Sequence, residues 1–234
     1  MKVLKFIERP RVVLFAGNNE ISQEVWEYLI YHKEYIAQTF TEQDKITFDV
    51  IKSFNPDVII TCYWPYLLSP EIIKIPKYGC INFHPALLPR NRGWYPAVWE
   101  VLEAEEHMAG VTLHFIDKNA DTGPILAQTS FSVKEIDTGG VVYNKSQQMM
   151  LDLFKEVWEQ LYEDGIVLHN QDDSKATYHT KKETNALDEI VLEKVYKAKD
   201  LLNLIKAKTF GSKSYAYYWR NGKKYYVRIE VTEA

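Results

Sequence analysis

The sequence has 234 residues, a formal net charge of −4 and 46% hydrophobic residues. This length suits one catalytic domain with a small appendage, and the slight negative charge disfavours a generic nucleic-acid-binding protein. No apolar run approaches the ~18 residues of a membrane helix, and the charged residues within the segment from Met1 to Arg11 are untypical of a secretory leader. A cytoplasmic protein without membrane attachment is therefore expected. The only two cysteines, Cys62 and Cys80, have no metal-ligand spacing, so no metal site is predicted.

The first predicted strand is the apolar run from Arg11 to Gly17. Asn18, Asn19 and Glu20 follow it and can cap a helix that carries apolar residues at helical spacing. This β-turn-α unit predicts a Rossmann-like α/β fold with a mainly parallel sheet. The turn lacks G-x-G-x-x-G, which gives a dinucleotide site little support. Asn18 lies at the strand's end, where facing a substrate and simple turn formation are about equally expected.

A second buried strand is predicted at residues 58–62, and bulky residues follow its carboxyl end. Tyr63, Trp64, Pro65 and Tyr66 could form the walls of a pocket for a flat heterocycle at this edge of the sheet. Packing of a helix against the sheet is a near-equal alternative for any single one of them.

The strand at residues 81–84 ends in two polar side chains. Asn82 and His84 are two apart and therefore share a face, and Pro85 ends the strand. Such a pair in isolation is more often structural, but a second polar cluster follows at residues 121–124. His114 alternates with apolar neighbours on a later strand, so it is predicted to be structural or surface-facing.

Two motifs carry a family resemblance. Residues 82–89, Asn-Phe-His-Pro-Ala-Leu-Leu-Pro, followed by Arg92-Gly93, resemble the N-x-H…L-L-P…R-G signature of the folate-dependent formyltransferases. Residues 117–123, Asp-Lys-Asn-Ala-Asp-Thr-Gly, resemble that family's D-x-x-x-D-T-G turn. The likeness is clear over about residues 55–130 and looser towards both ends. It implies a Rossmann-like formyltransferase core and N10-formyltetrahydrofolate as the formyl donor.

The resemblance also implies which residues form the site. The expected catalytic residues are Asn82, His84 and Asp121; the expected donor-binding residues are Tyr63, Trp64, Pro65, Leu67, Asp117, Asn119 and Asp121. Formyl transfer to an amine needs a donor to the developing oxyanion, which Asn82 can supply. His84 can act as a second donor when protonated or as the base when neutral, and Asp121 can orient it.

The acceptor is expected to be a nucleotide sugar. Methionyl-tRNA formyltransferases carry a larger C-terminal domain than residues after 165 allow, and glycinamide ribonucleotide formyltransferases use a Gly/Ser-rich phosphate loop that residues 16–20 lack. Trp94-Tyr95-Pro96, Tyr178-His179 and an aromatic hairpin at the end of the chain resemble nucleotide-sugar N-formyltransferases instead. The expected acceptor is the amine of a dTDP-linked 4-amino-4,6-dideoxy sugar, a precursor of surface polysaccharide such as the O-antigen of lipopolysaccharide. The expected acceptor-binding residues are Asn18, Arg90, Arg92, Trp94, Tyr95, Tyr178, Lys181 and Lys182.

Several alternatives stay open at this point. The acceptor could be a 3-amino sugar nucleotide, a UDP-linked sugar, glycinamide ribonucleotide or methionyl-tRNA. A hypothesis of a different class is a non-catalytic folate- or nucleotide-binding module, which the intact Asn82, His84 and Asp121 disfavour.

The composition shifts after Gly165, so we expect a catalytic domain at residues 1–165 and a C-terminal extension at residues 166–234. Asn221-Gly222 between two aromatic stretches predicts a terminal β-hairpin, with strands at about residues 215–219 and 225–231. A lone hairpin is marginally stable in water, so this one should pack on the core or on a partner, and a homodimer is expected. The basic residues of this segment are predicted to be a solvated face.

Overall fold

The computed structural model describes residues 3–104 and 108–233. The strands in these ranges are β1 Val3–Leu4, β2 Arg11–Ala16, β3 Tyr35–Phe40, β4 Val58–Cys62, β5 Cys80–His84, β6 Arg92–Gly93, β7 Ala109–Phe115, β8 Ile125–Phe131, β9 Ile166–Val167, β10 Tyr178–His179, β11 Thr209–Phe210, β12 Lys213–Ser214, β13 Tyr217–Arg220 and β14 Lys223–Tyr226. The α-helices are α1 Glu20–Tyr31, α2 Phe48–Ser53, α3 Pro70–Ile73, α4 Pro96–Leu102, α5 Gly139–Glu163, α6 Lys181–Ala186 and α7 Ala198–Lys208.

A six-stranded sheet in the order β3-β2-β4-β5-β7-β8 forms the centre of the molecule. The first four strands in this order are parallel, and β7 and β8 add an antiparallel edge. The interior strands β2 and β4 are buried on both faces, as their apolar residues at successive positions require. Val12 and Leu14 pack with α1 and α5, whereas Val13 and Phe15 pack with α2 and α3 on the other face. The predicted Rossmann-like α/β fold with a mainly parallel sheet is confirmed.

The turn after β2 forms as its residues predict. Asn19 caps α1, and its side-chain oxygen accepts a hydrogen bond from the Ser22 N–H at 2.8 Å. Cys62 and Cys80 lie buried on neighbouring strands with free thiols, and burial raises the pKa of each to about 12.

The register of the central strands sets out a row of polar residues. Thr61 on β4 is paired with Asn82 on β5, and Asn82 is paired with His114 on β7. Residues paired across neighbouring strands have side chains on the same face and within contact distance. One row across three strands therefore brings these polar side chains together near the carboxyl ends of β4 and β5.

The chain after β9 returns to this region before it forms the terminal hairpin. Strand β10 pairs in parallel with β6, and a Cβ atom on Gly93 would lie 2.3 Å from the His179 carbonyl oxygen. Gly93 also has a φ of +93°, a conformation that favours glycine. The glycine thus permits the close approach of residues 178–179 to the loop that follows β5.

The terminal hairpin consists of β13 and β14, with Asn221 and Gly222 at its turn. Both turn residues have positive φ, as a tight hairpin turn requires. The hairpin is confirmed, although its strands are shorter than predicted. None of the helices in the described ranges is both long enough and apolar enough to cross a lipid bilayer.

Candidate active site

A cleft of about 470 Å³ opens at the carboxyl ends of β4 and β5. Its lining includes twelve of the predicted site residues, namely Asn18, Tyr63, Trp64, Pro65, Leu67, Asn82, His84, Trp94, Tyr95, Asn119, Asp121 and Tyr178. A second cavity of about 700 Å³ adjoins it and shares Asn18, Asn19 and Glu42. The fold therefore brings the two sequence motifs to one opening.

Asn82 is held from both sides along the row of polar residues. Its Oδ1 accepts a hydrogen bond from the Thr61 hydroxyl at 2.6 Å, and its Nδ2 lies 3.0 Å from His114 Nε2. Since Asn82 lines the cleft, its amide is a donor that can face a bound substrate.

His84 is buried, and its ring is fixed by a backbone contact. Nε2 lies 2.9 Å from the Asn91 carbonyl oxygen, which can only accept, so this nitrogen carries the hydrogen. Burial lowers the pKa of His84, and this effect outweighs the opposing charge of Asp121. A neutral His84 then has its lone pair on Nδ1, the nitrogen that lies 3.5 Å from Asp121 Oδ1.

Asp121 connects the two motifs. Its Oδ2 accepts a hydrogen bond from the Gly93 N–H at 2.9 Å, and its Oδ1 lies 3.5 Å from both His84 Nδ1 and His114 Nε2. Burial alone would raise its pKa, but the positive charge that His84 carries when protonated, the contact with His114 and the Gly93 N–H hold the pKa of this carboxyl well below its usual range. Asp121 is therefore ionised at neutral pH.

The predicted donor-binding residues differ in what they contact. Tyr63 follows β4 with a φ of +52°, and its hydroxyl is buried without a hydrogen-bond partner among the described residues. The Trp64 ring packs edge-on against Phe15, so it also contributes to the core. Asp117 holds the D-T-G turn, because its Oδ1 accepts hydrogen bonds from the Thr122 hydroxyl and the Asn119 N–H at 2.5 and 3.0 Å.

The predicted acceptor-binding aromatics lie at the opening. Trp94, Tyr95 and Tyr178 are exposed there, and Lys181 Nζ lies 5.0 Å from the centre of the Trp94 ring. Asn18, also predicted to bind the acceptor, lies in the turn after β2. Its backbone N–H donates a hydrogen bond to Glu42 Oε1 at 3.1 Å.

The prediction that Arg90 and Arg92 meet a diphosphate needs correction. Arg92 is buried, and its guanidinium donates to Gln171 Oε1 and to Asp173 Oδ1, each at 2.7 Å. Arg90 forms an ion pair with Glu103 at 3.4 Å. No arginine or lysine of residues 3–104 and 108–233 lines the cleft. The predicted acceptor-binding residue Lys182 is exposed and lies outside the lining. Burial and pairing give Arg92 a structural role that its position in the sequence did not reveal.

His114 is the main site residue that sequence reasoning missed. The alternating pattern of β7 predicted one apolar face and one outward face, but β7 lies between β5 and β8 and is buried throughout its first six residues. A polar residue on an interior strand needs a buried partner. The signal available in the sequence was the presence of Thr112 and His114 in an otherwise apolar strand next to the N-x-H strand.

Comparisons with known proteins agree with this geometry. A family model described as formyl transferase matches residues 12–157, and a model described as N-formyltransferase dimerization C-terminal domain matches residues 183–233. Methionyl-tRNA formyltransferase of Clostridium tetani is 33% identical over 177 residues, which are 75% of this chain and 55% of that protein. The enzyme of the same name from Clostridioides difficile is 34% identical over 164 residues, which are 70% of this chain and 52% of that protein. The chain spans about half the length of these curated relatives.

Solved structures share the fold over nearly the whole chain. A sugar N-formyltransferase from Shewanella superposes with a TM-score of 0.82 at 22% identity, covering 96% of this chain and 99% of that one. A formyltransferase from Anoxybacillus kamchatkensis, in complex with UDP-4,6-dideoxy-4-formamido-L-AltNAc and tetrahydrofolate, gives a TM-score of 0.66 at 26% identity, covering 84% and 98%. An N-formyltransferase from Helicobacter canadensis, in complex with folinic acid and dTDP-3-aminofucose, gives 0.72 at 19% identity, covering 91% and 85%. The chain therefore belongs to the formyl transferase family, as the N-x-H and D-T-G motifs predicted.

Proposed function

We propose that this formyltransferase transfers the formyl group of N10-formyltetrahydrofolate to the amine of a dTDP-linked 4-amino-4,6-dideoxy sugar. The observation that carries the proposal is the meeting of Asn82, His84 and Asp121 in one cleft whose mouth bears exposed aromatic side chains. An amine attacks a formyl carbon directly, so the site needs no Ser or Cys nucleophile. It needs a hydrogen-bond donor, a base and a negative charge that stabilises the base once it is protonated.

The three side chains fit these roles. An Asn82 N–H donates to the formyl oxygen as negative charge develops there, an effect worth on the order of 10²–10³ in rate. His84 is neutral because burial lowers its pKa, so Nδ1 can take the proton that the attacking amine loses. The formyl C–N10 bond then breaks, and the same proton passes from His84 to N10 of the departing tetrahydrofolate. Asp121 is ionised and 3.5 Å away, so it stabilises the imidazolium that forms. General-base help of this kind contributes about 10²–10⁴ in rate.

The loop after β4 is the proposed place for the folate ring system. Tyr63, Trp64, Pro65 and Leu67 line the cleft together with Asn119 across from them in the D-T-G turn. The buried Tyr63 hydroxyl has no partner among the described residues, and a polar group of a ligand would satisfy it. The donor supplies the formyl group; the solved relatives from Anoxybacillus and Helicobacter are complexes with tetrahydrofolate and folinic acid, which supports a folate donor.

The exposed aromatics are the proposed place for the acceptor's base. Stacking on an aromatic side chain contributes roughly 1–3 kcal/mol per base, and Trp94, Tyr95 and Tyr178 are available for it. Lys181 already lies over Trp94, so it is the cation best placed for the diphosphate, with Lys182 beside it in the sequence. Arg90 and Arg92 no longer form part of the proposal.

Two other acceptors each have one observation in their favour. The curated relatives described above are methionyl-tRNA formyltransferases, and the Helicobacter structure contains a 3-amino sugar nucleotide. The exposed aromatics and the coverage of whole sugar N-formyltransferase chains favour the sugar nucleotide over the tRNA.

We also propose a homodimer formed through the C-terminal extension, with the catalytic domain at residues 1–165 and the extension at residues 166–234. The match to a dimerization domain over residues 183–233 supports assembly. Tyr215, Trp219, Tyr225 and Tyr226 are exposed at the hairpin and give it an apolar surface. Residues 166–179 pack back on the first domain through β9 and β10. The cytoplasmic location and the role in surface polysaccharide stay predictions.

The acceptor is tested by a side-by-side comparison of kcat/KM with one formyl donor. The panel contains dTDP-linked 4-amino and 3-amino dideoxy sugars, a UDP-linked 4-amino sugar, glycinamide ribonucleotide and methionyl-tRNA, with products identified by mass spectrometry. The dTDP-4-amino sugar should have the highest kcat/KM, and the His84→Ala variant should form little product from it. A higher value for a non-sugar acceptor would refute the sugar-nucleotide assignment while leaving formyl transfer intact.

A further inference from the structure

His114 occupies a buried position between the two motifs. It is paired with Asn82 across β7 and β5, and only 1% of its surface is exposed. Both ring nitrogens have close neighbours, because Nδ1 lies 2.8 Å from the Phe115 carbonyl oxygen and Nε2 lies 3.0 Å from Asn82 Nδ2. In the reaction proposed above, the His114 imidazole has no assigned role.

The backbone contact determines where the hydrogen of the neutral ring lies. The Phe115 carbonyl oxygen can only accept, so Nδ1 must donate to it. In the tautomer with its hydrogen on Nδ1, Nε2 has a lone pair and no hydrogen. The atom of Asn82 that faces Nε2 must therefore be the donor, Nδ2 rather than Oδ1.

Thr61, the other neighbour of the Asn82 amide, does not determine the orientation of that amide. The Thr61 hydroxyl lies 2.6 Å from the Asn82 amide, but a hydroxyl can donate to an amide oxygen or accept from an amide nitrogen. With Thr61 alone, both orientations of the amide would be satisfied. With His114 present, only one orientation has a hydrogen bond on each side.

Asp121 is a competing partner for His114 at a longer distance. Its Oδ1 lies 3.5 Å from Nε2, which is beyond the usual range for a hydrogen bond, whereas Asn82 Nδ2 lies at 3.0 Å. The Asp121 carboxylate is already held by the Gly93 N–H. The shorter contact assigns Nε2 to Asn82.

We propose that His114 is a positioning residue that sets the amide orientation of Asn82, so that the amide presents its N–H donor rather than its oxygen to the formyl oxygen. The proposal rests on the proposed formyl transfer and deepens it. If the Asn82 amide were flipped, its oxygen rather than its N–H would face the formyl oxygen as negative charge develops there. The loss would affect the transition state more than substrate binding, so kcat should fall more than KM changes. His114 acts through Asn82 and touches neither the donor nor the acceptor in this scheme.

The test is a double-mutant cycle of His114 with Asn82. His114→Asn keeps a donor near the Nδ1 position and loses the acceptor near Nε2, whereas His114→Gln can place an amide oxygen near Nε2. His114→Asn should lower kcat by about tenfold to a hundredfold, with KM for both substrates changed by less than about threefold, and His114→Gln should retain more of the kcat. In an Asn82→Ala background, His114→Asn should lower kcat by less than about threefold further, because the amide that it orients is gone.

Thermal unfolding of each variant separates this role from a general loss of structure. The inference is overturned if the two effects on kcat multiply, or if His114→Gln and His114→Asn lose the same activity at equal stability. The proposed function fails separately if Asn82→Ala itself keeps the wild-type kcat. A reduced kcat in Asn82→Ala together with unchanged kcat in both His114 variants overturns only the role of His114.

Discussion

Replacing Gln171 with Leu should destabilise the protein, because it removes the hydrogen bonds that connect the D-T-G turn to the loop containing Arg92 and Gly93. Gln171 Nε2 donates to the carbonyl oxygens of Asp121 and Gly123 at 2.9 and 2.7 Å. Its Oε1 accepts from Nε and Nη2 of Arg92 at 3.2 and 2.7 Å. One amide thus connects the D-T-G turn to the R-G loop.

The expected loss follows from these four contacts. A neutral hydrogen bond contributes about 0.5–1.5 kcal/mol to stability and one to a charged group about 1.5–3 kcal/mol. Since Gln171 is only partly buried, we expect a loss of ~2–4 kcal/mol in the free energy of unfolding rather than the full sum. For a chain of this size, a loss of ~3 kcal/mol lowers Tm by roughly 6–12 °C.

Asp173→Asn is the matched control because Asp173 contacts the same guanidinium from the solvent side. Asp173 is 82% exposed, and exposed ion pairs contribute only ~0–1 kcal/mol. Urea unfolding of both variants gives the two free-energy changes, without reference to activity. The reasoning is refuted if Gln171→Leu is no less stable than Asp173→Asn.

Three further predictions concern the catalytic residues and the assembly. His84→Ala and Asp121→Ala should each lower kcat at least about a hundredfold in protein that circular dichroism shows to be folded. Near-normal turnover in either would contradict the catalytic assignment. In the unfolded chain, His84 takes up a proton near pH ~6.5. In the folded protein, burial lowers the pKa of His84, so it stays neutral at this pH. Protonation therefore favours the unfolded state, and the free energy of unfolding should fall as pH drops below ~6.5. His84→Gln should reduce that slope in urea unfolding at several pH values, and an unchanged slope would show that His84 is not the group responsible. Deletion of the chain from Tyr215 onwards should lower the mass measured by light scattering from dimer to monomer, and a full-length protein that stays monomeric at high concentration would refute the dimer.

The sequence predicted those parts of the fold that depend on local pattern. The continuous apolar runs at β2 and β4 identified buried parallel strands, and Asn19 and Asn221-Gly222 identified a helix start and a hairpin turn. The placement of Asn82 and His84 at a strand end followed from the period of two and from Pro85. Each of these features is decided within a few residues of the chain.

The parts that the sequence did not reveal depend on contacts between distant segments. Arg92 follows β5 closely and was predicted to meet the acceptor's diphosphate, but its partners Gln171 and Asp173 lie about eighty residues later in the sequence. His114 was predicted to be structural or outward-facing because its strand alternates, but the antiparallel pairing of β7 with β5 makes it a neighbour of Asn82. Neither pairing leaves a periodic signal in one sequence.

The segment after residue 165 also fixes the His84 imidazole, which neither motif could show. Asn91 has a φ of +55° and its carbonyl oxygen accepts from His84 Nε2. Its N–H donates to the Thr177 hydroxyl at 2.7 Å, and its Oδ1 lies 3.1 Å from His179 Nε2. His179 in turn stacks on Trp99 with ring centres 3.6 Å apart. Residues 177–179 hold the loop whose Asn91 carbonyl oxygen accepts from His84. The position of the hydrogen on the His84 ring therefore depends on a segment outside both motifs. An N-x-H motif alone therefore cannot specify the tautomer on which the proposed base catalysis relies.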